Sequence, residues 1–291
     1  MNLLKIRKLK EYQPVSFNEK VIILFKIFIA NDWVNCNLNQ VLYEPMIVQI
    51  SFSKDIEDHD LNTNSLKLYS FINHNKVNAI LGLKYIRSIE IESDKIYLFE
   101  VINAKLHLNL IKRIYLKRIY NLSQRKKSNF FNEFNFDIYK KLVALFSIPK
   151  QVWLVSIFNQ KENHFPIDLC AIKKNHITIG VRNTNQSINE LKIGNTFFLS
   201  QPAAEDYKQV YSLGKFICKK EKINTLKIND IILPNIILKY FELSLVSKIE
   251  FENQSIYISK IINEKKINQL KKPLYHLHKI WLLNNSKYKI I

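Results

Sequence analysis

The residues His164-Phe165-Pro166-Ile167-Asp168-Leu169-Cys170, then Ile177-Thr178-Ile179-Gly180-Val181 and Arg182-Asn183-Thr184-Asn185-Gln186-Ser187, carry the reading of the fold. Over 163–215 they read as an apolar turn, a strand, a capped helix, a second strand and a second helix. Ser187-Ile188-Asn189-Glu190 has the spacing of a capping box, in which hydroxyl and carboxylate satisfy each other's backbone donors. Gly194 falls where a helix C′ glycine would stand. A strand thus ends in Arg, Thr, Asn and Ser just as a helix begins, a favourable place for a phosphate. The same residues also suit an ordinary strand–turn–helix in which they only cap and turn. The residues alone leave both readings open.

The Phe-Pro-x-Asp-Leu run, the strand ending in Val181-Arg182, the short helix, Phe197-Phe198-Leu199-Ser200 and Tyr211-Ser212-Leu213-Gly214-Lys215 together resemble the flavin reductase-like group of FMN-binding split β-barrels. The resemblance continues through Pro234, the 241–262 hairpin and Pro273-Leu274-Tyr275, covering residues 146–283. It implies a mainly β fold with short helices (α+β), FMN as cofactor and NAD(P)H as a transient donor. It assigns Phe165, Pro166, Asp168 and Leu169 to the flavin ring and ribityl chain. Arg182, Thr184, Asn185 and Ser187 fall to the phosphate, where a guanidinium fork makes charge-assisted bonds. On its residue type alone Asp168 is equally a turn residue. His164 is either a nicotinamide contact or an exposed turn residue. The family's Ser/Thr-rich run leading to a Pro-Pro pair has no counterpart here, so a cofactor-free binding module stands as the alternative function.

A second pattern organises the whole chain. Ile249-Glu250-Phe251-Glu252-Asn253-Gln254-Ser255-Ile256-Tyr257-Ile258-Ser259-Lys260-Ile261-Ile262-Asn263 matches Ile89-Glu90-Ile91-Glu92-Ser93-Asp94-Lys95-Ile96-Tyr97-Leu98-Phe99-Glu100-Val101-Ile102-Asn103 without a gap, at an offset of 160 (249 − 89). Both read as hairpins. Met46-Ile47-Val48-Gln49-Ile50 falls on 177–181 at an offset of 131 (177 − 46), and the same shift sets Asn37-Leu38 on Asp168-Leu169 and Val21 on Val152. Gly82 lands on Gly214 at 132 (214 − 82), which puts about 28 extra residues (160 − 132) near 219–243.

The repeat predicts two tandem split β-barrel domains, 1–104 and 149–291, joined by a basic helical connector, 105–148. Chance likeness between two hairpins of biased composition is the competing account. The duplication turns 21–29 into a strand and makes the capping-box spacing at Ser16-Phe17-Asn18-Glu19 a false signal. Ser128 to Phe146 reads as a helix packing one barrel against the next. In the first copy Val34-Asn35 replace Phe165-Pro166, Asn37 replaces Asp168 and Ser51 replaces Arg182, so only the second keeps a site. The chain is expected as a monomeric pseudo-dimer or a homodimer.

Composition sets outer bounds. The 291 residues are 47% hydrophobic, with 18 Phe and 14 Tyr, enough for packed cores. Cys36, Cys170 and Cys218 are scattered and odd in number, as in a reduced cytoplasmic protein. No cleavable apolar segment follows the basic start, and the most apolar run, 21–30, is too short to span a bilayer. The net charge of +19 comes from lysines spread over both halves of an Ile-, Asn- and Lys-rich chain. It is read as compositional, with nucleic acid not expected as a partner. The basic helix around Lys112-Arg113, Lys117-Arg118 and 125–127 leaves an RNA-binding role as a distant third reading. No nucleophile triad or Gly-rich phosphate loop is visible, and His276 and His278, two apart on a strand, form at most a metal pair lacking a third ligand.

Overall fold

Val34, Cys36, Leu38 and Gln40 are buried while Trp33, Asn35 and Asn37 between them face out, the period-two signature of a strand. The computed structural model in which this is seen describes residues 12–17, 23–29, 32–62, 66–72, 76–92, 94–124, 135–147, 149–158, 162–214, 225–228, 231–268, 270–282 and 288–290. The chain forms two compact units. The first is Met1–Tyr12, Glu19–Ile148 and Leu277–Lys287, and the second is Gln13–Asn18, Pro149–His276 and Tyr288–Ile291.

After β1 (Tyr12–Phe17), the first unit runs β2 (Ile23–Ile29), β3 (Asp32–Gln40), β4 (Ile47–Phe52), α1 (Asp58–Leu61), β5 (Leu66–Ile72), β6 (Lys76–Ile91) and β7 (Asp94–Leu106). Its strands close into a barrel in the order β2-β3-β4-β7-β6-β5. Phe25, Ile27, Val34, Val48, Ile50, Leu68, Leu83 and Phe99 fill the interior. Two helices follow, α2 (Leu110–Gln124) and α3 (Phe136–Leu145). Asn135 caps α3 by accepting the Ile138 N–H at 2.9 Å. Leu142, Ala144 and Leu145 of α3 join the first barrel's core. Residues 23–29 are a strand, and Ser16 lies within β1, not at a helix start. Residues 125–134, with the basic run 125–127, lie outside the described residues, as do Lys215 and Cys218.

The second unit begins with β8 (Lys150–Gln151), β9 (Trp153–Phe158), β10 (Glu162–Ile167), β11 (Cys170–Lys173), β12 (His176–Arg182), α4 (Gln186–Asn189) and β13 (Thr196–Pro202). A 3-10 turn (Ala204–Asp206), α5 (Tyr207–Leu213), β14 (Thr225–Ile228) and β15 (Ile231–Pro234) precede the long hairpin β16 (Ile237–Glu250) and β17 (Gln254–Lys266). β18 (Tyr275–His278) and β19 (Tyr288–Ile290) close the chain, with a 3-10 turn, Lys279–Leu282, between them. Seven strands form one sheet, β10-β9-β13-β16-β17-β12-β11, and β19-β1-β18-β8 form another. Val155, Ile157, Ile177, Ile179, Phe197, Leu199, Leu243 and Tyr257 pack on the concave side. Leu154, Phe198, Tyr240 and Leu274 on the outer face are covered by Ala204, Val210, Leu233 and Ile236.

The units repeat one scheme. Ile89 pairs with Ile96 as Ile249 does with Ile256, and both hairpins carry irregularities at matched places, Tyr85/Arg87 with Leu245/Ser247 and Gly82/Leu83 with Glu242/Leu243. An offset of 160 therefore holds through both hairpins. Other offsets differ from those read in the sequence. Val48 faces Phe99 and Ile177 faces Ser259, which sets β12 on β4 at 129 (177 − 48) rather than 131. Ile27 faces Leu68 as Val155 faces Leu199, setting β9 on β2 at 128 (155 − 27) and β13 on β5 at 131 (199 − 68). Gly82 thus corresponds to Glu242, not to Gly214. The extra residues number 29 (160 − 131) and fall between β13 and β16, in 203–236, a span that overlaps the expected 219–243 but begins earlier and ends before β16.

One difference sets the two barrels apart. Val34 faces Ile27 as Phe165 faces Val155, an offset of 131 (165 − 34). Gln40 faces Val48 while Ile172 faces Ile177, an offset of 132 (172 − 40). The second unit has one additional residue at Asp168-Leu169. A single added residue breaks a ladder and re-aims its strand. Continuous β3 becomes two strands, β10 and β11, and the barrel is open between them.

Candidate functional site

Two cross-links bracket that opening. At one end Asn163 Nδ2 donates to Ser187 Oγ at 3.0 Å, and at the other the Gly180 N–H donates to the Leu169 carbonyl at 3.0 Å. Between them Phe165–Asp168 border one side and Val181–Asn185 the other. Phe165, Pro166 and Asp168 thus lie on one side of the opening and Arg182, Thr184 and Asn185 on the other, with Leu169 and Ser187 at the cross-links that bound it.

On the first side, Phe165, Ile167 and Cys170 pack against the barrel interior, Cys170 being placed there by the added residue. Pro166 and Asp168 point outward. A Cβ on Gly214, which ends α5, would lie 2.9 Å from Pro166 Cγ, so helix and strand are in close contact. Asp168 Oδ2 accepts from His276 Nδ1 at 3.3 Å. His276 Nε2 hydrogen-bonds the Tyr211 hydroxyl, and the two rings stack with centroids 5.3 Å apart. Burial first, then the Asp168 carboxylate, pushes the Tyr211 phenol up, so Tyr211 keeps its proton and donates it to His276. With Nδ1–H directed at Asp168, the chain of donors runs Tyr211 to His276 to Asp168. Lys150 stands opposite His276 across β8 and β18. Burial of its amine lowers it to about 7 despite the opposing pull of Asp168. Sequence reading named Asp168, His276 and Tyr211 separately and missed both Lys150 and the grouping. β8 has only two residues, too few for a periodic signal.

On the second side, Asn183 is fastened to the β16–β17 turn. Its Nδ2 donates to the Phe251 carbonyl at 2.7 Å, and its Oδ1 accepts from Ser255 Oγ at 2.7 Å. That anchoring leaves Arg182 and Thr184 exposed toward solvent. Ser187 is not the N-cap: Asn185 holds that position, without a side-chain cap bond, and Ser187 lies inside α4. Gly194 is not a helix C′ residue either. It sits at φ +88 in the turn closed by Asn195 N–H to Lys192 O at 2.9 Å, a third-position conformation that favours glycine. Half-buried Asn185 and buried Leu169 complete the predicted set.

The other candidate histidines have partners of their own. His164 is neither exposed nor in a turn: it is buried in β10, with Nδ1 2.8 Å from Ser156 Oγ and Nε2 2.6 Å from Glu162 Oε1. His276 and His278 have different partners, since His278 Nε2 lies 3.1 Å from the Tyr139 hydroxyl. Among the described residues, no three His, Cys, Asp or Glu side chains gather as a metal site.

No family model matches the chain, and no curated protein matches it in sequence. Among solved structures it is similar to the NADH:FAD oxidoreductase SgcE6 of Streptomyces globisporus C-1027, at 12% identity and a TM-score of 0.42, over 48% of this chain and 89% of that one. The styrene monooxygenase flavin reductase of Pseudomonas putida S12 gives 10% identity and 0.42, over 51% and 94%. An FMN-binding protein from Thermus thermophilus gives 11% and 0.39, over 44% and 82%. The chain is similar in structure to flavin reductases and FMN-binding split-barrel proteins over about half its length. No helix of the described residues is long and apolar enough to cross a membrane.

Proposed function

We propose that the chain is a cytoplasmic FMN-binding flavoprotein of flavin reductase type, with its cofactor at the opening of the second barrel. The observation that supports this reading is the gap itself, bordered by Phe165–Asp168 on one side and by exposed Arg182 and Thr184 on the other. The donor set fits a phosphate: a guanidinium and a hydroxyl at the surface suit a dianion that keeps part of its hydration. The edge of β10 that faces the gap carries backbone groups outside any barrel ladder, suited to the polar rim of a flavin ring. Bound FMN would supply the hydride and electron transfer from NAD(P)H. The protein's part is to hold the phosphate at Arg182 and Thr184, to orient the ring against Phe165–Leu169, and to keep Asp168 fixed through His276.

We read the shared scheme of the two units as a tandem duplication in which the first copy is a cofactor-free module. Its β3 is continuous, Asn37 stands for Asp168, and the register puts Ser53, not Ser51, in the place of Arg182. Fluorescence titration with FMN tests the site. Arg182→Ala is expected to weaken binding ten- to a hundred-fold, about 1.5–3 kcal/mol for a charged hydrogen bond, while Ser53→Ala leaves it unchanged. Equal affinity of wild type and Arg182→Ala would discard the phosphate assignment.

A further inference from the structure

The outer wall of the first barrel inverts the usual relation between side chain and exposure. Lys26 and Phe28 on β2, Trp33 and Asn35 on β3, and Lys67, Tyr69 and Phe71 on β5 point away from the interior. The pairs Phe28↔Trp33, Lys26↔Asn35 and Lys26↔Tyr69 are direct cross-strand neighbours. Phe28 is 46% and Trp33 48% exposed. The rings touch in series, Phe28 to Trp33 at 5.4 Å, Trp33 to Tyr69 at 5.1 Å and Tyr69 to Phe71 at 6.5 Å.

By the registers above, the same wall of the second barrel carries Leu154 for Lys26, Ser156 for Phe28, His164 for Trp33 and Ser200 for Tyr69. All four are buried, and the segment between β13 and β16 packs on that side of the sheet. The second barrel's wall is thus packed beneath its own chain, whereas among the described residues the first barrel's wall presents large aromatics that stay partly exposed. A strand face open to water is ordinarily polar, and a contiguous exposed aromatic patch marks a binding surface.

We propose that this wall binds single-stranded nucleic acid, its bases stacked on Phe28, Trp33 and Tyr69 and its phosphates met by Lys26 and Lys67. Stacking rings on adjacent strands, interleaved with lysines, are the equipment for unpaired bases. The local charge agrees: Asp32 is the sole carboxylate on β2, β3 and β5, and Lys54 pairs with it at 2.7 Å. The inference is independent of the flavin reading, since it concerns the other unit.

The test is anisotropy of a fluorescein-labelled oligothymidylate with the full chain and no flavin, at low and at moderate salt, alongside a duplex of equal length. Single strand is expected to bind tighter than duplex. Phe28→Ala and Trp33→Ala should each weaken binding about tenfold, the loss of one stacking partner, while Trp33→Phe retains most of it. Because Trp153 and Trp281 are buried, quenching of tryptophan fluorescence by the oligonucleotide should vanish in Trp33→Phe. Circular dichroism confirms that each variant is folded. Absence of binding at low salt, equal affinity for duplex, or unchanged affinity in both alanine variants would overturn the proposal. So would sedimentation showing a dimer that Trp33→Ala dissolves, which would assign the patch to a second copy of the chain.

Discussion

Lys150 illustrates how one residue leaves a measurable mark on the whole chain. An amine lowered from its ordinary 10.5 to about 7 by burial is neutral in the native state over a range where the unfolded chain still holds the proton. Unfolding there takes up a proton, so stability rises with pH from about 7 upward, by about 1.4 kcal/mol per pH unit for one group. Cys36, pushed to about 12 by burial, and Cys170, raised for the same reason, act the other way. Their thiols ionise in the unfolded chain near the ordinary 9.0 and stay protonated when folded, so stability falls again above about 9. Urea unfolding at pH 7, 8 and 9 should show this rise, and Lys150→Met should remove it while raising stability at pH 7. A wild-type profile flat over that window would contradict the assignment. Asp168 and Arg182 stand out in the sequence as candidates because a Phe-Pro-x-Asp run and a polar strand end are local patterns. The Tyr211–His276–Asp168 chain was not, since its members meet only after three separate elements have packed.

Elements were legible where a short apolar run stood out, as at Ile47–Phe52, whose first four residues are all buried, and where two such runs flanked a polar turn, as in both long hairpins. Registers were not. A strand rich in Ile and Val matches itself equally well after a two-residue slip, because the same face stays inward; that is why β12 was set on β4 at 131 instead of 129. The added residue at Asp168-Leu169 has no sequence signal of its own, and the insertion between β13 and β16 begins earlier than the hairpin offsets alone indicate. That segment makes a definite prediction through Gly214. Its φ of −80 is open to any residue, but an added methyl meets Pro166 at 2.9 Å. Gly214→Ala is expected to cost about 1–3 kcal/mol as overpacking, and to weaken FMN binding by shifting α5 from β10. Gly194→Ala meets nothing within 4 Å and loses only its φ of +88, about 1 kcal/mol, with FMN affinity unchanged. Thermal unfolding and FMN titration of both variants separate the two causes. A Gly214→Ala protein as stable as wild type would mean that α5 does not seat on Pro166.

At the scale of the molecule, one barrel plan is used twice with opposite modifications. The first unit keeps a continuous β3 and a bare aromatic outer wall. The second opens the same strand by one residue and covers the same wall with its own insertion. On this account the cofactor follows the opening, so the number of flavins follows the number of open barrels. The likeness of the two hairpins was readable in the sequence, whereas the difference between the two barrels lay in a single residue, below what similarity between biased sequences can resolve. The most direct test is the stoichiometry of FMN binding by isothermal titration calorimetry. One FMN per chain, reduced in affinity by Arg182→Ala and not by Ser53→Ala, is the expected result; two per chain, or none, would contradict it.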